Sequence, residues 1–283
     1  MSRAVIQLRT MNVADVPLGM RLKDDAGWNQ TAADWRRFLA LDPEGGCVAH
    51  CGGEAVGTAV ACAFGEVGWI AMVLVDPAYR GRGIGTRLVA HSITYLERRA
   101  VRSIRLDATP LGRPVYDMLG FRIEYELARW EGMAPARSAP PQVGCAAADQ
   151  LEAIAQLDRQ ITGTPRLSLL QHLFQQQPGA MRAVFLREGL MGYATWREGS
   201  RAAYIGPAMS LRAEVGQDLA EAVLAACAGR RVFVDIPCDN GPATRWAQSC
   251  GFAVQRPLMR MVRGAPVVDH PACLWASSGP ESG

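Results

Sequence analysis

The sequence predicts a mixed α/β protein made of two copies of one fold, and three observations carry that prediction. An apolar run at residues 69–75 (WIAMVLV) feeds a glycine-rich loop and then an amphipathic helix pattern. A Pro-, Ala- and Ser-rich stretch at 135–141 (PARSAPP) breaks all periodicity near mid-chain. Beyond it, Val232-Phe233-Val234-Asp235-Ile236-Pro237 echoes Ile104-Arg105-Leu106-Asp107-Ala108-Thr109-Pro110, and Gly251-Phe252 echoes Gly120-Phe121. Repeated order and motif mark a duplicated unit.

The elements follow in order. A short strand pattern opens at Met1-Ser2-Arg3-Ala4-Val5, and a helix is expected over 31–41. Residues 69–75 are rich in strand formers, and Asp76-Pro77 ends them, since proline cannot continue a central strand. Ile84, Leu88, Val89, Ser92, Ile93 and Leu96 then recur at helical spacing to about Arg99. A strand over 103–107, a short helix, and alternation at Phe121, Ile123, Tyr125 and Leu127 close the first half, with Gly120 where a helix C-cap needs a left-handed residue. After the break, Asp149 opens a helix carrying Leu151, Ile154, Ala155 and Leu157 on one face, and a second helix is expected to 173. Strands at 183–186, 190–197 and 202–205, a helix near 216–227, and the strand at 232 complete the repeat. The expected domains are 1–135 and 143–283, joined by a linker at 136–142, with a C-terminal tail from about 265.

Arg80-Gly81-Arg82-Gly83-Ile84-Gly85 carries the chemistry. It lies between strand and helix, where unpaired N–H groups and the positive end of the helix dipole favour an anion. Glycines without Cβ let the backbone approach phosphate oxygens, and Arg80 and Arg82 add charge-assisted donors. An ordinary glycine turn before a helix is the alternative. A P-loop is excluded because no Gly-Lys-Ser/Thr follows, and a dinucleotide fingerprint because G-x-G-x-x-G and its later acidic residue are missing.

Arg-x-x-Gly-x-Gly after a strand and Asp-Pro resembles the acetyl-CoA signature of the GNAT superfamily of N-acetyltransferases. Pro114-Val115-Tyr116-Asp117-Met118-Leu119-Gly120-Phe121 resembles the block that follows it there, and the likeness spans residues 3 to about 132. Gly27-Trp28-Asn29-Gln30-Thr31, Asp107-Ala108-Thr109-Pro110 and the closing Leu274-Trp275-Ala276-Ser277-Ser278-Gly279-Pro280-Glu281-Ser282-Gly283 are similar to a branch with a second GNAT-like domain. The resemblance implies tandem folds, each a central, mostly antiparallel sheet flanked by helices. It also implies acetyl-CoA as co-substrate, with no metal, and transfer of the acetyl group to a primary amine by direct attack in a ternary complex.

Residue by residue, the resemblance gives the pantetheine arm to the strand at Val73, Leu74 and Val75, where a backbone N–H can also polarise the thioester carbonyl. It gives the pyrophosphate to Arg80, Gly81, Arg82, Gly83, Ile84, Gly85 and Thr86, and makes Tyr116 the general acid for the departing thiolate. An ammonium acceptor needs a base, for which Asp24, Asp25, Glu66 and Asp107 are candidates, with His50 and His91 behind them. Asp24 and Asp25 beside Trp28 can also receive a cationic amine, and Asn29 and Gln30 add polar contacts. A helix-capping loop with surface acids is the equal alternative. The second half has no Arg-x-x-Gly-x-Gly after Gly206-Pro207 and holds Ala247 where the first holds Tyr116. It is therefore expected to serve as a lid, a substrate wall or a homodimer surface.

Composition sets the outer limits. The chain has 283 residues, 49% of them hydrophobic, which suits two domains with cores of their own. No long apolar span points to a membrane, no signal-peptide core opens the chain, and a cytoplasmic enzyme is expected. A net charge of +3 without a basic tract argues against nucleic acid. Eight cysteines include one close pair, Cys47 and Cys51, with no second pair to complete a zinc site, so packing is expected of them. Two other functions remain open: a coenzyme sensor that recruits a partner without turnover, and acylation of peptide or protein amines. Longer acyl chains also remain open.

Overall fold

The structure, a computed structural model, describes residues 5–283. The strand pattern expected at residues 1–4 lies outside them. Contacts divide the chain into two compact units, the first holding residues up to Arg122 with Met261–Pro266, the second Ile123–Arg260 with Val267–Glu281. Each is a mixed sheet flanked by helices, the class the sequence predicts.

The first unit runs β1 (Ile6–Thr10), α1 (Val16–Asp25), α2 (Ala32–Leu41), β2 (Gly46–Cys51), β3 (Glu54–Phe64), β4 (Val67–Val75), α3 (Ile84–Arg98), β5 (Ser103–Ala108) and α4 (Arg113–Met118). Strands β1 to β4 pair antiparallel in sequence order, and β5 joins β4 in parallel. Strand β4 is apolar throughout because α-helices cover its faces. Helix α3 turns Ile84, Leu88, Val89, Ser92, Ile93 and Leu96 inward, the spacing its sequence shows. Helix α2 starts on a capping box in which the Thr31 N–H donates to Asp34 at 2.7 Å. Residues Met261–Pro266 close this unit at β5, where the Ser103 hydroxyl donates to the Ala265 carbonyl at 2.7 Å.

The second unit contains β6 (Arg122–Met133, apart from its first residue), β7 (Gly144–Cys145), α5 (Leu151–Thr162), α6 (Leu167–Gln176), β8 (Arg182–Leu186), β9 (Gly189–Arg197), β10 (Ala203–Ser210), α7 (Ala213–Ala226), β11 (Arg231–Pro237), α8 (Gly241–Ser249), most of β12 (Ala253–Gly264) and β13 (Leu274–Ala276). Its strands lie in the order β6-β11-β10-β9-β8-β7, and β13 pairs with β10. Its main core gathers Leu219, Val223, Leu224, Val232, Val234 and Trp246. Strand β6 pairs along the whole of β11, from Met133↔Arg231 to Leu127↔Pro237, so contacts count it with the second unit. The Pro-rich stretch also lies there, with Arg137 bonded to Glu221 at 2.8 Å.

Cys47, Cys51, Cys62 and Cys227 are buried, as packing cysteines should be, whereas Cys145 and Cys238 are exposed. Burial pushes the Cys47 thiol up to about 11 and Cys227 up to about 12, which keeps both protonated and unreactive.

Candidate active site

Strand β4 pairs with β5 over three residues only: Val67↔Ser103, Gly68↔Ile104 and Trp69↔Arg105. Both strands continue, β4 to Val75 and β5 to Ala108, but they part. Among the described residues the fork leaves the inner edge of β4 without a strand partner, and an extended ligand can satisfy such an edge. A bulge shapes it. Register against β3 shifts between Thr58 and Val60, Met72 takes φ 52°, and the Thr58 hydroxyl holds the Met72 carbonyl at 3.0 Å. A non-glycine residue in that region costs on the order of 1 kcal/mol or more and persists only where its surroundings fix it.

The loop from Asp76 to Gly83 follows. Asp76 Oδ1 accepts from the Ala78 N–H at 3.0 Å, and Arg21 of α1 reaches Asp76 at 2.6 Å. These contacts hold the Asp76 carboxyl below the usual carboxylate range, the Arg21 bond first among them. Gly81 and Gly83 have φ of 75° and 78°, which a side chain would strain. Gly83 is the N-cap of α3 and no side chain caps the helix, so its first N–H groups face outward. Arg80 bonds the Val75 carbonyl at 3.1 Å through Nε, and its side chain is exposed at the cavity.

Fork, loop and α4 line a single cavity of about 420 Å³. Val73 and Val75 form one wall, Arg80, Gly81, Gly83, Ile84, Gly85 and Thr86 the mouth, and Tyr116 with Val115 the facing side. Tyr116 rests edge-on against Phe121 at 5.9 Å between ring centres, and among the described residues its hydroxyl has no hydrogen-bond partner. Desolvation pushes the phenol up to about 12. It therefore carries a proton at neutral pH and can give one to a stronger base formed in the cavity.

Comparison with known proteins agrees with this geometry. Residues 18–121 match the acetyltransferase (GNAT) family, and residues 154–274 match an acetyltransferase (GNAT) domain. The chain belongs to the GNAT acetyltransferase superfamily. It is 27% identical over 240 residues to a holothin acyltransferase of Pseudoalteromonas sp. (strain SANK 73390), covering 84% of this chain and 81% of that one. A putative acetyltransferase of Pyrococcus horikoshii shares the fold with a TM-score of 0.85 at 21% identity, covering 98% of this chain and 96% of that one. A tandem GNAT protein from the clavulanic acid biosynthesis pathway does so with a TM-score of 0.65 at 15% identity, covering 94% and 100%. The chain is thus a tandem GNAT acyltransferase.

Within this GNAT protein the cavity lining includes nine of the residues singled out from sequence: Val73, Val75, Arg80, Gly81, Gly83, Ile84, Gly85, Thr86 and Tyr116. Leu74 faces the core at 4% exposure, as alternation with Val73 and Val75 requires. Arg82 leaves the cavity wall, stacking over the Tyr79 ring at 4.9 Å and bonding the Ala78 carbonyl. Asp107 stands on the β5 arm of the fork, past the last pair with β4. Glu66 does not reach the cavity: it lies in the turn before β4, exposed beside Arg102 at 3.5 Å. His50 on β2 accepts from Arg9, and His91 lies on α3 outside the cavity lining.

The Asp24 to Gln30 segment reads first as a helix end. Gly27 at φ 67° and the Trp28 N–H bond to the Lys23 carbonyl at 2.8 Å close α1 in a left-handed cap. Asp24 pairs with Lys23 at 2.6 Å, Asp25 lies 3.6 Å from Arg21, and Asn29 and Gln30 are buried. None of these residues lines the cavity. Sequence reading passed over Tyr79, Leu111, Gly112 and Val115, which do line it. Leu111 had a signal, a lone apolar residue in a turn, and it is 84% exposed.

Proposed function

We propose that the first GNAT domain is an acetyl-CoA-dependent N-acetyltransferase whose acceptor is the primary amine of a small molecule. One observation carries the reading: a single cavity collects the open strand edge, the uncapped helix with its glycine loop, and a protonated phenol that has no hydrogen-bond partner among the described residues. Acetyl-CoA supplies an activated acyl carbonyl and a thiolate leaving group. The N–H groups at the start of α3 bind the pyrophosphate, with Arg80 neutralising its charge. The β4 edge at Val73 and Val75 pairs with the pantetheine arm as a strand would, and a main-chain N–H there polarises the carbonyl. The amine forms the C–N bond to the acyl carbon, and as the C–S bond then breaks Tyr116 gives its proton to the departing sulfur. Asp107, on the other arm of the fork, is the candidate to take the amine's proton, while Asp24, Asp25, Trp28, Asn29 and Gln30 remain acceptor-side candidates. The match to a holothin acyltransferase supports acyl transfer.

The test pairs binding with turnover. Acetyl-CoA is expected to raise the melting temperature, and free thiol to appear only when an amine is added from a panel of amino acids, polyamines and amino sugars. Thiol release with peptide amines alone would move the acceptor class. Stabilisation with no release across the whole panel would replace the enzyme by a coenzyme sensor.

A further inference from the structure

The second domain contains the same fork, and its own chain fills it. β10 pairs in parallel with β11 over three residues, Ala203↔Val232, Tyr204↔Phe233 and Ile205↔Val234, and then the two part. A register shift between Ile205 and Ala208 against β9 marks the same kind of bulge as that in β4. Beyond it β13 takes the opened edge, pairing antiparallel at Ala208↔Ala276 and Met209↔Leu274. Met209 is four residues past the last parallel pair, as Val73 is in the first domain.

The other arm of the fork holds the same segment. The Ser277 N–H donates to the Asp235 carbonyl of β11 at 2.8 Å, and Tyr204 donates to the Ser277 carbonyl at 3.1 Å. Asn240, which caps α8, uses its amide N–H to hold the Leu274 carbonyl at 3.0 Å. Trp275 lies against the first turn of α7, where a Cβ on Gly216 would come within 2.1 Å of its ring. Glu281 pairs with Arg197 at 3.2 Å, both buried.

We infer that the β10–β11 fork is a strand-binding slot occupied in cis by the C-terminal segment from Leu274, which stands in for a pantetheine arm and closes the second domain to coenzyme. The inference rests on the proposed use of the first fork. Its neighbourhood is consistent: only Leu211 and Arg212 separate β10 from α7, so no loop exists there to hold a pyrophosphate.

The test uses the full-length protein and acetyl-CoA. Native mass spectrometry at saturation is expected to give one coenzyme per chain, and hydrogen exchange to show the Ser277 amide slowed at least ~100-fold relative to an open terminus. Two coenzymes per chain, or free exchange at Ser277, overturns the inference. Zero coenzymes with a protected tail counts against the first-domain reading alone, since the exchange result still supports the filled slot. Full-length Trp275→Ala is expected to speed Ser277 exchange at least tenfold, and a free peptide of residues 274–283 to restore protection of the β10 amides. A folded variant with a released tail that no peptide rescues overturns the slot. If Trp275→Ala unfolds the second domain, Glu281→Gln, which removes the charge paired with Arg197, is expected to give a smaller acceleration of the same amides; no acceleration overturns the inference.

Discussion

In the first domain, three parallel pairs join β4 to β5 before the strands part and leave an edge open to a cavity. In the second, three parallel pairs join β10 to β11, and β13 lies along the edge that opens. Eight residues, Asp76 to Gly83, lead from β4 into α3, but two, Leu211 and Arg212, lead from β10 into α7. The same turn follows each short helix: the Phe121 N–H bonds the Tyr116 carbonyl and the Phe252 N–H bonds the Ala247 carbonyl, both at 3.1 Å. At that matched position one domain keeps a phenol facing the cavity, the other a fully buried methyl. The difference teaches that a fork is a demand as much as a site. Main-chain groups along its edge must find partners, and in the second domain the protein's own chain supplies them at β13.

Breaking the first domain's side of that contrast gives the largest effects. Gly83→Val puts a β-branched side chain at φ 78° in the mouth of the cavity. It is expected to weaken acetyl-CoA binding at least ~100-fold, about 2.7 kcal/mol. Arg212→Ala, in the short turn of the other domain, is expected to change nothing in the same titration. Equal losses from both would end the claim that coenzyme binds in one domain. Tyr116→Phe is expected to lower kcat by about two to four powers of ten with little change in the KM for acetyl-CoA. The wild-type pH profile sharpens this. A phenol pushed up to about 12 stays protonated through the neutral and mildly alkaline range, so loss of the acid is expected only as pH nears that value. An alkaline limb near pH 8 that survives in Tyr116→Phe would belong to another group.

Ala247→Tyr is the reciprocal change. The residue is fully buried, so the added ring has no cavity to enter and is expected to cost ~1–3 kcal/mol of stability without creating a second active site. Chemical denaturation followed through the second domain checks the first part, and thiol release in a Tyr116→Phe background checks the second.

Much of this contrast is legible in sequence because it lies in local patterns. The glycine motif, the Tyr116 to Phe121 block and the missing second motif are all short-range. The sequence reading gives Val73, Leu74 and Val75 alike to the pantetheine arm, and the pleat of β4 separates them by turning Leu74 to the core. The rest depends on tertiary pairing, which no local pattern contains. Glu66 and Asp107 look equivalent as acids at strand ends, yet they sit at opposite ends of the fork's two arms. Arg82 reads as a phosphate ligand by motif, and the Tyr79 ring captures it instead. The tail is legible as a motif but not as a strand, because β13 is three residues long and takes its partners from β10, far away in sequence.

The smallest effects test how firmly the open fork is held in shape. Thr58→Val removes the hydroxyl that bonds the Met72 carbonyl at 3.0 Å while keeping the side chain's volume. A neutral hydrogen bond of this kind is worth about 1 kcal/mol net, and its loss leaves a buried carbonyl beside a residue already at φ 52°. A protein of this length is expected to lose roughly 2–4 °C in melting temperature, with a few-fold loss of coenzyme affinity. Smaller still is Tyr79→Phe, which cuts the bond to Glu54 but keeps the ring under Arg82. The bond lies at the exposed surface, so solvent and salt screen it, and Kd for acetyl-CoA is expected to rise less than about threefold. Tyr79→Ala also removes the ring, and if stacking is what draws Arg82 from the cavity wall, it frees that guanidinium to reach the pyrophosphate. Its affinity is then expected to recover at low ionic strength and fall off more steeply with salt than the wild type. An affinity that drops equally at every salt concentration would show that the ring itself, and not the position of Arg82, shapes the mouth of the fork.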